Sequence, residues 1–441
     1  MNLLLLRSAI LVAMAAPAVL LLLLAVPSLW SRPWSEEQAG WLTRAAFLAA
    51  LGGLAVAGIC FAAGPRQRIL LRLGDWFSRE GGFAFDLLID GWSLAFAALA
   101  VGICGVVSSF SFRYLHREEG FHRYFVLLVS FVFGLELVAL AGSVEALFAG
   151  WEILGLSSAL LVAFFHDRPA PVDNALRVLT FYRIGDACML TAAVLLHHWA
   201  GSDSLSLLFS GGVGRLAFLG SGRILLIAVL ILAAAAAKSA LLPFSTWLAR
   251  AMEGPTPSSA VYYGALSVHA GCFLLLRAEV LLRSSAAACV LTAGVGLATA
   301  AYAAVVGRAQ SDAKSRLCFA SLTQVGIIVV EIALGWEVLA FIHMTGNICL
   351  RLLQFLSAPN ILHDLRQLEN DRGARLQASE EPAGPFARAI YLFALERGFL
   401  DGLIELWVER PLTRLVAGMD SLDRRLYRLP LALLGGGDED A

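Results

Sequence analysis

The sequence predicts an all-α polytopic membrane protein with about eleven membrane-spanning helices. Hydrophobic residues make up 59% of the chain and charged residues only 15%, whereas about 25% of an average soluble domain is charged. Apolar stretches of about 20 residues, long enough to cross a hydrocarbon core of about 30 Å, recur along most of the sequence. They lack the alternating pattern of outer-membrane strands, so they must be helices, because lipid leaves no backbone group unpaired.

The predicted spans follow one another with mostly short connections. In order, they cover residues 8–30, 42–63, 90–112, 123–142, 144–165, 175–199, 223–248, 257–282, 286–308, 316–335 and 336–358. The first could instead be a secretory signal peptide, but its apolar run is too long and lacks a clear small-x-small cleavage site. Residues 64–89 carry several arginines, which predicts an extramembrane connector, with an interfacial helix as one form of it.

Proline interrupts the seventh span at Pro243, and residues 254–257 read Gly-Pro-Thr-Pro before the eighth. Because proline removes a backbone donor, we expect a broken helix near Pro243. Broken helices at membrane depth persist where protein or water satisfies the freed backbone groups, and they often mark transport sites. An ordinary proline kink is the alternative.

The composition divides the chain into four parts. These are the N-terminal helices and connector (1–84), the main membrane domain (85–358), a polar linker (359–385) and an amphipathic C-terminal segment (386–441). Charged residues are too frequent in the last part for a spanning helix, so we expect an interfacial or partner-binding helix and a frayed acidic end at 438–440. Arginines lie slightly more often in loops after odd-numbered spans, which favours a cytoplasmic C-terminal tail in a bacterial-type inner membrane.

The charge pattern excludes several function classes. The net charge of −1 gives no basis for nucleic-acid binding, and the seven scattered cysteines show no spacing of a metal, haem or cluster site. No nucleotide loop or nucleophile constellation is present, so we expect no cofactor and no catalytic site of the chain's own.

Of the 33 basic residues only Lys238 and Lys314 are lysines. Arginine keeps its charge, whereas a buried lysine can release a proton, so these two positions are candidates for proton transfer.

Lys238 lies inside the seventh span, beside the expected break, and needs a partner. The best candidate is Glu152, early in the fifth span, with Glu145 seven residues earlier on nearly the same face. A carboxylate whose distance from a buried ammonium changes could switch proton binding on and off. A lysine that snorkels to the headgroups, or a purely structural ion pair, remains the alternative. Lys314 lies near a helix start, where a snorkelling or loop position is as plausible.

Other ionisable residues fall on the sixth, tenth and eleventh spans. Arg183 and Asp186 are spaced i,i+3 and can pair on one helix face, where either could modulate Glu152. Glu331 and His343 are further candidates, and the imidazole of His343 suits a relay near neutral pH. A membrane histidine is about as often a hydrogen-bonding residue between helices.

These motifs resemble the antiporter-like membrane subunits shared by respiratory complex I and the Mrp sodium/proton antiporters, closest to the large one of the complex I trio. The matching stretches are 85–93 (FDLLIDGWS), 150–158 (GWEILGLSS), 182–186 (YRIGD), 238–248 (KSALLPFSTWL), 251–260 (AMEGPTPSSA) and 312–326 (DAKSRLCFASLTQVG). The resemblance implies that Glu152 and Lys238 form the family's charge pair between helices five and seven. It also implies that Arg183 and Asp186 modulate this pair and that Lys314 and His343 lie on a central hydrophilic axis.

The chain departs from the family pattern at several positions. Tyr263 stands where the family has His or Lys, His269 appears about two turns later, and Asn347 and Arg351 replace a second His and a Lys. A hydroxyl with an ordinary pKa near 10 is a poor relay, although it could order water. The resemblance implies two inverted five-helix repeats, of which we expect the second to be incomplete here.

The leading hypothesis is a proton-translocating subunit of a larger complex, of NADH:quinone oxidoreductase or Mrp antiporter type. Its expected partners are other membrane subunits, a possible soluble subunit and the lipid bilayer. A membrane subunit of a proton-coupled inorganic-carbon uptake complex also fits the motifs. An assembly or scaffold subunit that has lost transport fits the departures at Tyr263, Asn347 and Arg351.

Overall fold

The molecule is built almost entirely of long apolar helices. The computed structural model of the chain describes residues 3–30, 32–64, 68–75, 84–200, 219–310, 312–373, 384–404, 406 and 410–433. Within these ranges, eleven helices are long and apolar enough to cross a membrane. The predicted fold class, an all-α polytopic membrane protein with about eleven spans, is confirmed.

The first six spanning helices begin at positions that the local sequence specifies. They are α1 (Leu3–Leu29), α2 (Glu36–Ala63), α3 (Gly91–Tyr114), α4 (Phe121–Leu140), α5 (Val144–Val162) and α6 (Pro169–Ala200). The hydroxyl of Ser35 caps α2 and the carboxylate of Asp90 caps α3, each in a reciprocal capping box. The hydroxyl of Ser143 caps α5. These short polar side chains accept hydrogen bonds from backbone N–H groups that the first helical turn leaves unpaired.

A β-hairpin, not an interfacial helix, occupies the described part of the connector between α2 and α3. Strand β1 (Ile69–Asp75) pairs antiparallel with β2 (Ala84–Ile89). The end of β2 is buried on both faces, and the carbonyl oxygen of Asp86 accepts a 2.7 Å hydrogen bond from the backbone N–H of Gly142. The prediction of an interfacial helix is therefore wrong for these residues, because their backbone groups pair between the two strands and with Gly142. The predicted boundary between residues 84 and 85 falls inside this hairpin.

The remaining spanning helices include the expected break. They are α7 (Ser221–Ser239), α8 (Thr256–Arg277), α9 (Ala286–Ala309), α10 (Ala313–Ala333) and α11 (Glu337–Arg372). Helix α7 ends where Ala240 adopts a left-handed conformation with φ of 55°, and the chain continues irregularly to a short helix, Thr246–Arg250. The break near Pro243 is confirmed, so the seventh helix ends well before residue 248. Helix α8 likewise ends before residue 282, because a separate short helix, Glu279–Arg283, follows it.

The backbone groups at the break find partners inside the protein. The N–H of Leu242 donates to the hydroxyl of Thr299 in α9 at 3.0 Å, and the indole N–H of Trp247 donates to the carbonyl oxygen of Ala237 at 3.1 Å. Helix α8 is buried along its length and is wound as a π-helix over Ser259–Leu266. Irregular backbone at membrane depth is tolerated where protein satisfies it in this way, and π-helical turns often lie at functional sites.

Two pairs of helices approach each other closely at positions occupied by glycine. A Cβ atom at position 150 of α5 would lie 2.7 Å from the carbonyl oxygen of Gly134 in α4. A Cβ atom at position 326 of α10 would lie 2.6 Å from the carbonyl oxygen of Gly296 in α9. Such contacts are closer than any real side chain allows, so glycine at these positions permits the helices to approach each other directly.

The C-terminal part of the chain differs from the prediction in two respects. Helix α11 runs to Arg372, so the first half of the predicted linker 359–385 is helical, and residues 374–383 lie outside the described ones. Residues 380–441 form a separate unit. Its helices are α12 (Pro385–Leu395), a short helix at Leu400–Ile404, and the strongly amphipathic α13 (Arg410–Leu433). The amphipathic prediction is confirmed, with several helices rather than one, and the acidic end at 438–440 also lies outside the described residues.

Candidate functional site

Lys238 is buried in the last turn of α7, with 1% of its surface exposed. Its ammonium donates a 3.2 Å hydrogen bond to the carbonyl oxygen of Trp151 in α5. The Nζ atom also lies 4.8 Å from the centre of the Trp151 ring and 4.0 Å from the centre of the Tyr182 ring in α6. Aromatic faces attract cations, most strongly where water is excluded. Three helices therefore form an apolar, electron-rich pocket around one ionisable nitrogen.

The pocket has room for the ammonium because residue 155 is glycine. A Cβ atom there would lie 2.7 Å from Nζ of Lys238 and 3.3 Å from Cδ2 of Tyr182. The alanines before Lys238 have a related role, since Gly185 of α6 packs so closely on Ala237 that a Cβ would lie 2.7 Å from its methyl group. Small side chains on α5, α6 and α7 thus bring the three backbones together around the lysine.

The acidic groups near Lys238 are paired with an arginine instead. In α6, Arg183 is hydrogen-bonded to the carboxylate of Glu152, and its Nη2 atom lies 2.8 Å from Oδ2 of Asp186. Among the described residues, Lys238 forms no ion pair within 4 Å, so the direct contact with Glu152 expected from the sequence is absent. The i,i+3 contact of Arg183 with Asp186 is present. Glu145, at the start of α5, is half-buried, and its Oε2 atom has no hydrogen-bond partner in the described part.

A second polar cluster joins α8 to α11. Arg351 donates from Nε to Oδ1 of Asn347 at 3.2 Å, and Nδ2 of Asn347 lies 3.0 Å from Nε2 of His269. Because a guanidinium can only donate, it fixes the Asn347 amide so that its NH₂ group donates to the imidazole. Nδ1 of His269 in turn donates to the carbonyl oxygen of Ala265. One donor and one acceptor face this ring, which is the pattern of a neutral histidine.

His343 is held in the opposite way. Its Nδ1 atom lies 2.9 Å from Oε1 of Glu331, and its Nε2 atom lies 2.9 Å from Oε1 of Gln324 in α10. Both ring nitrogens therefore face side-chain oxygens. The structure brings Glu331 and His343 together, and Gln324 was not recognised from the sequence. The two histidines thus lie in opposite hydrogen-bonding environments.

Two other predicted residues lie apart from these clusters. Lys314 is half-buried in the first turn of α10, with the carboxylates of Asp312 and Glu253 close enough to attract its charge. Tyr263 is buried in the π-helical part of α8, and its hydroxyl donates to the carbonyl oxygen of Ser158 in α5 at 3.0 Å. This hydroxyl joins α8 to α5 near the Lys238 pocket.

Besides Gln324, sequence reasoning missed four residues of the membrane interior. Trp151, Gly155 and Tyr182 form the pocket around Lys238, and no polar pattern marks them out. Glu136 in α4 is fully buried. It could have been found, because an acidic residue in the middle of an apolar span is a functional candidate in itself.

The fold and the site define the class of this protein. It is a polytopic helical membrane protein whose interior carries ionisable side chains on helices from α5 to α11. Residues 141–388 match the family described as NADH:quinone oxidoreductase/Mrp antiporter, TM. Residues 76–125 match the N-terminus of chain 5 of NADH-ubiquinone oxidoreductase (complex I). The chain belongs to the NADH:quinone oxidoreductase/Mrp antiporter family of membrane proteins, as the sequence motifs predicted.

Individual relatives agree with this assignment. NADH-quinone oxidoreductase subunit L of Campylobacter jejuni is 32% identical over 291 residues, which cover 66% of this chain and 48% of that protein. The subunit L of Escherichia coli is 28% identical over 307 residues, covering 69% of this chain and 50% of that protein. The chain thus spans about half the length of the curated relatives it matches.

Solved structures share the fold. The Mrp complex from Dietzia sp. DQ12-45-1b has a chain that matches with a TM-score of 0.68 and 28% identity, over 86% of this chain and 39% of that one. An archaeal respiratory complex, the membrane-bound sulfane sulfur reductase, matches with a TM-score of 0.67 over 89% of this chain and 68% of that one. At 17% identity, the second likeness concerns the fold alone.

Proposed function

We propose that this chain is a proton-translocating membrane subunit of a larger complex, of NADH:quinone oxidoreductase or Mrp antiporter type, and that Lys238 is its proton-carrying switch. The observation that carries the proposal is the pocket itself. A lysine exposed by only 1% has one carbonyl oxygen and two aromatic rings around its ammonium, while the nearest carboxylates are bound to Arg183. A buried lysine without a paired carboxylate is poised to lose its proton.

The switch follows from the arrangement of charges around Arg183. While Arg183 holds Glu152 and Asp186, its positive charge offsets part of the attraction that the two carboxylates exert on the ammonium of Lys238, and burial favours proton release. If Arg183 moves away from them, both carboxylates act on Lys238 and favour the charged form. Movement of one arginine would therefore load and unload the lysine. Its side chain is about half exposed, which leaves it room to move.

The onward route leads from α7 to the cluster between α8 and α11. Ser239 and Ser267 have buried hydroxyls on the two helices that carry Lys238 and His269. From His269 the route continues to His343 in α11, whose imidazole is hydrogen-bonded to Glu331. In this proposal Lys314 lies on a branch of the route at the first turn of α10.

The test replaces Lys238 with methionine, which keeps most of the volume and removes the ionisable group. In liposomes containing the complex that includes this chain, Lys238→Met should abolish proton movement while the complex still assembles. Arg223→Met is the matched control, because it removes a basic residue near the other end of the same helix, where Arg223 stacks on Trp199. Proton movement at the normal rate in an assembled Lys238→Met complex would refute the proposal.

A scaffold subunit without transport is the second candidate, and the cluster around Asn347 favours it. Asn347 cannot carry a proton, and Arg351 holds it so that His269 accepts a hydrogen bond. If the chain is a scaffold, Arg351→Gln should leave proton movement by the complex unchanged. If the chain conducts, this variant should change the rate, because it frees the amide that fixes the protonation state of His269.

A further inference from the structure

Glu136 lies in the second half of α4, outside the route from Lys238 to His343. Its side chain is completely buried, with 0% of the residue surface exposed. Both carboxylate oxygens are without a hydrogen-bond partner in the described part of the chain. The two oxygens also form no ion pair with any described basic residue. This carboxyl is therefore set apart from the acidic groups that Arg183 holds.

An isolated carboxylate is among the least stable groups that a membrane interior can contain. Even in globular proteins, an unpaired buried charge is so unfavourable that the group binds a proton instead. The neutral acid still leaves polar atoms unsatisfied, and a leucine of similar size would pack there without that penalty. An acidic residue at such a position therefore indicates a function that needs a removable proton.

A line of buried polar side chains leads from the end of α3 towards Glu136. The hydroxyls of Ser111 in α3 and Tyr124 in α4 lie 2.8 Å apart. Cys104, two turns before Ser111 on the same face of α3, is close enough to interact electrostatically with both Tyr124 and Glu136. Tyr262 of α8 borders the same line, and its hydroxyl donates to the carbonyl oxygen of Leu127 at 3.3 Å. Tyr263, the next residue of α8, is close enough to interact electrostatically with Tyr262.

We propose that Glu136 is a second proton-binding site of the membrane domain and that it exchanges its proton along the line of Ser111, Tyr124 and Cys104. The proton is carried on one carboxylate oxygen as O–H. Because only Ser111 and Tyr124 are directly hydrogen-bonded, water entering between the other groups would pass the proton on between hydroxyl and thiol groups, each of which can both donate and accept. The site does not depend on the Lys238 switch. It is lined by α3, α4 and α8, whereas the lysine pocket is lined by α5, α6 and α7.

Infrared spectroscopy of the full chain in lipid membranes tests the proposal directly. A protonated carboxylic acid has a carbonyl stretching band that a carboxylate lacks, and the band shifts when its proton is replaced by deuterium. The wild type should show such a band, and Glu136→Gln should lose it. Glu118→Gln, which removes an exposed carboxylate from the loop before α4, should retain it. Glu136→Leu provides a second variant without the carboxyl if the amide destabilises the fold.

Exchange in D₂O then separates a proton-transfer site from a sealed carboxyl. The band should shift in the wild type, and Tyr124→Phe should slow this shift roughly tenfold or more, because a phenyl ring cannot pass on a proton. A spectrum unchanged by Glu136→Gln and Glu136→Leu would overturn the assignment. A band that never shifts in D₂O, or one that shifts at the normal rate in Tyr124→Phe, would overturn the route. None of these results depends on transport through Lys238.

Discussion

The glycine at position 155 provides the sharpest test of the lysine pocket. In Gly155→Ala, the new methyl carbon would lie 2.7 Å from Nζ of Lys238, where ordinary contact begins at 3.4 Å. The ammonium must then retreat by about 0.7 Å, although the rings of Trp151 and Tyr182 already restrict it. The 3.2 Å hydrogen bond to the Trp151 carbonyl oxygen is stretched or lost as a result.

Two effects should follow from this displacement. Overpacking of this kind lowers the free energy of unfolding by about 1–3 kcal/mol. A displacement approaching 1 Å at a transfer group should also slow proton movement by roughly ten- to a hundredfold. The assays are thermal unfolding of the purified chain and proton uptake into liposomes containing the complex.

A matched glycine makes the result interpretable. A Cβ atom at position 294 of α9 would have no neighbouring atom within 4 Å, so Gly294→Ala should leave transport unchanged and, as a helical glycine, gain up to about 1 kcal/mol of stability. Normal proton movement in a folded Gly155→Ala complex would refute the account of the pocket. An equal loss in both variants would show that the effect is not specific to Lys238.

Three further predictions concern Arg183 and two other contacts between helices. Arg183→Gln should slow proton uptake, because Glu152 and Asp186 lose their cation and then stabilise the charged form of Lys238. Arg183→Lys keeps the positive charge and should retain part of the rate. Equal rates of uptake in the two variants would contradict this role of Arg183. The carboxylate of Asp90 binds the buried guanidinium of Arg277 at 2.5 Å. Asp90→Asn should therefore lower the free energy of unfolding, measured by thermal or denaturant unfolding, by about 3 kcal/mol or more. An unchanged unfolding transition would argue against this pair. In Gly271→Ala, the new Cβ would lie 2.5 Å from the carbonyl oxygen of Ala235. This variant should lower the free energy of unfolding by about 1–3 kcal/mol in the same assay. A neutral effect would mean that α7 and α8 can separate.

Much of the membrane topology could be predicted because it depends on local composition. The need to pair every backbone group in lipid leaves a helix as the only solution for each long apolar stretch. The break near Pro243 could be predicted for the same reason, since proline removes a donor wherever it occurs. The hairpin of β1 and β2 could not be predicted in this way. Its burial depends on contacts with the loop between α4 and α5, which are distant in sequence.

The candidate site shows the same division. The sequence identified Glu152, Arg183, Asp186 and Lys238 as ionisable groups in apolar spans, where any such residue is a functional candidate. It did not determine which charges meet. The expected contact of Glu152 with Lys238 depends on side-chain reach between two helices, and the structure pairs Glu152 with Arg183 instead.

By itself, the sequence determined that this protein is a helical membrane protein, where its seventh helix breaks, which family it belongs to and that several ionisable residues lie within its apolar spans. These properties follow from composition, spacing and motif, which the chain carries with it unfolded. The tertiary structure decided that Lys238 lies against two aromatic rings, that His269 and His343 lie in opposite hydrogen-bonding environments, and that Glu136 is isolated among the described residues. Partners, burial and protonation depend on distances across helix contacts, and those distances exist only once the helices pack.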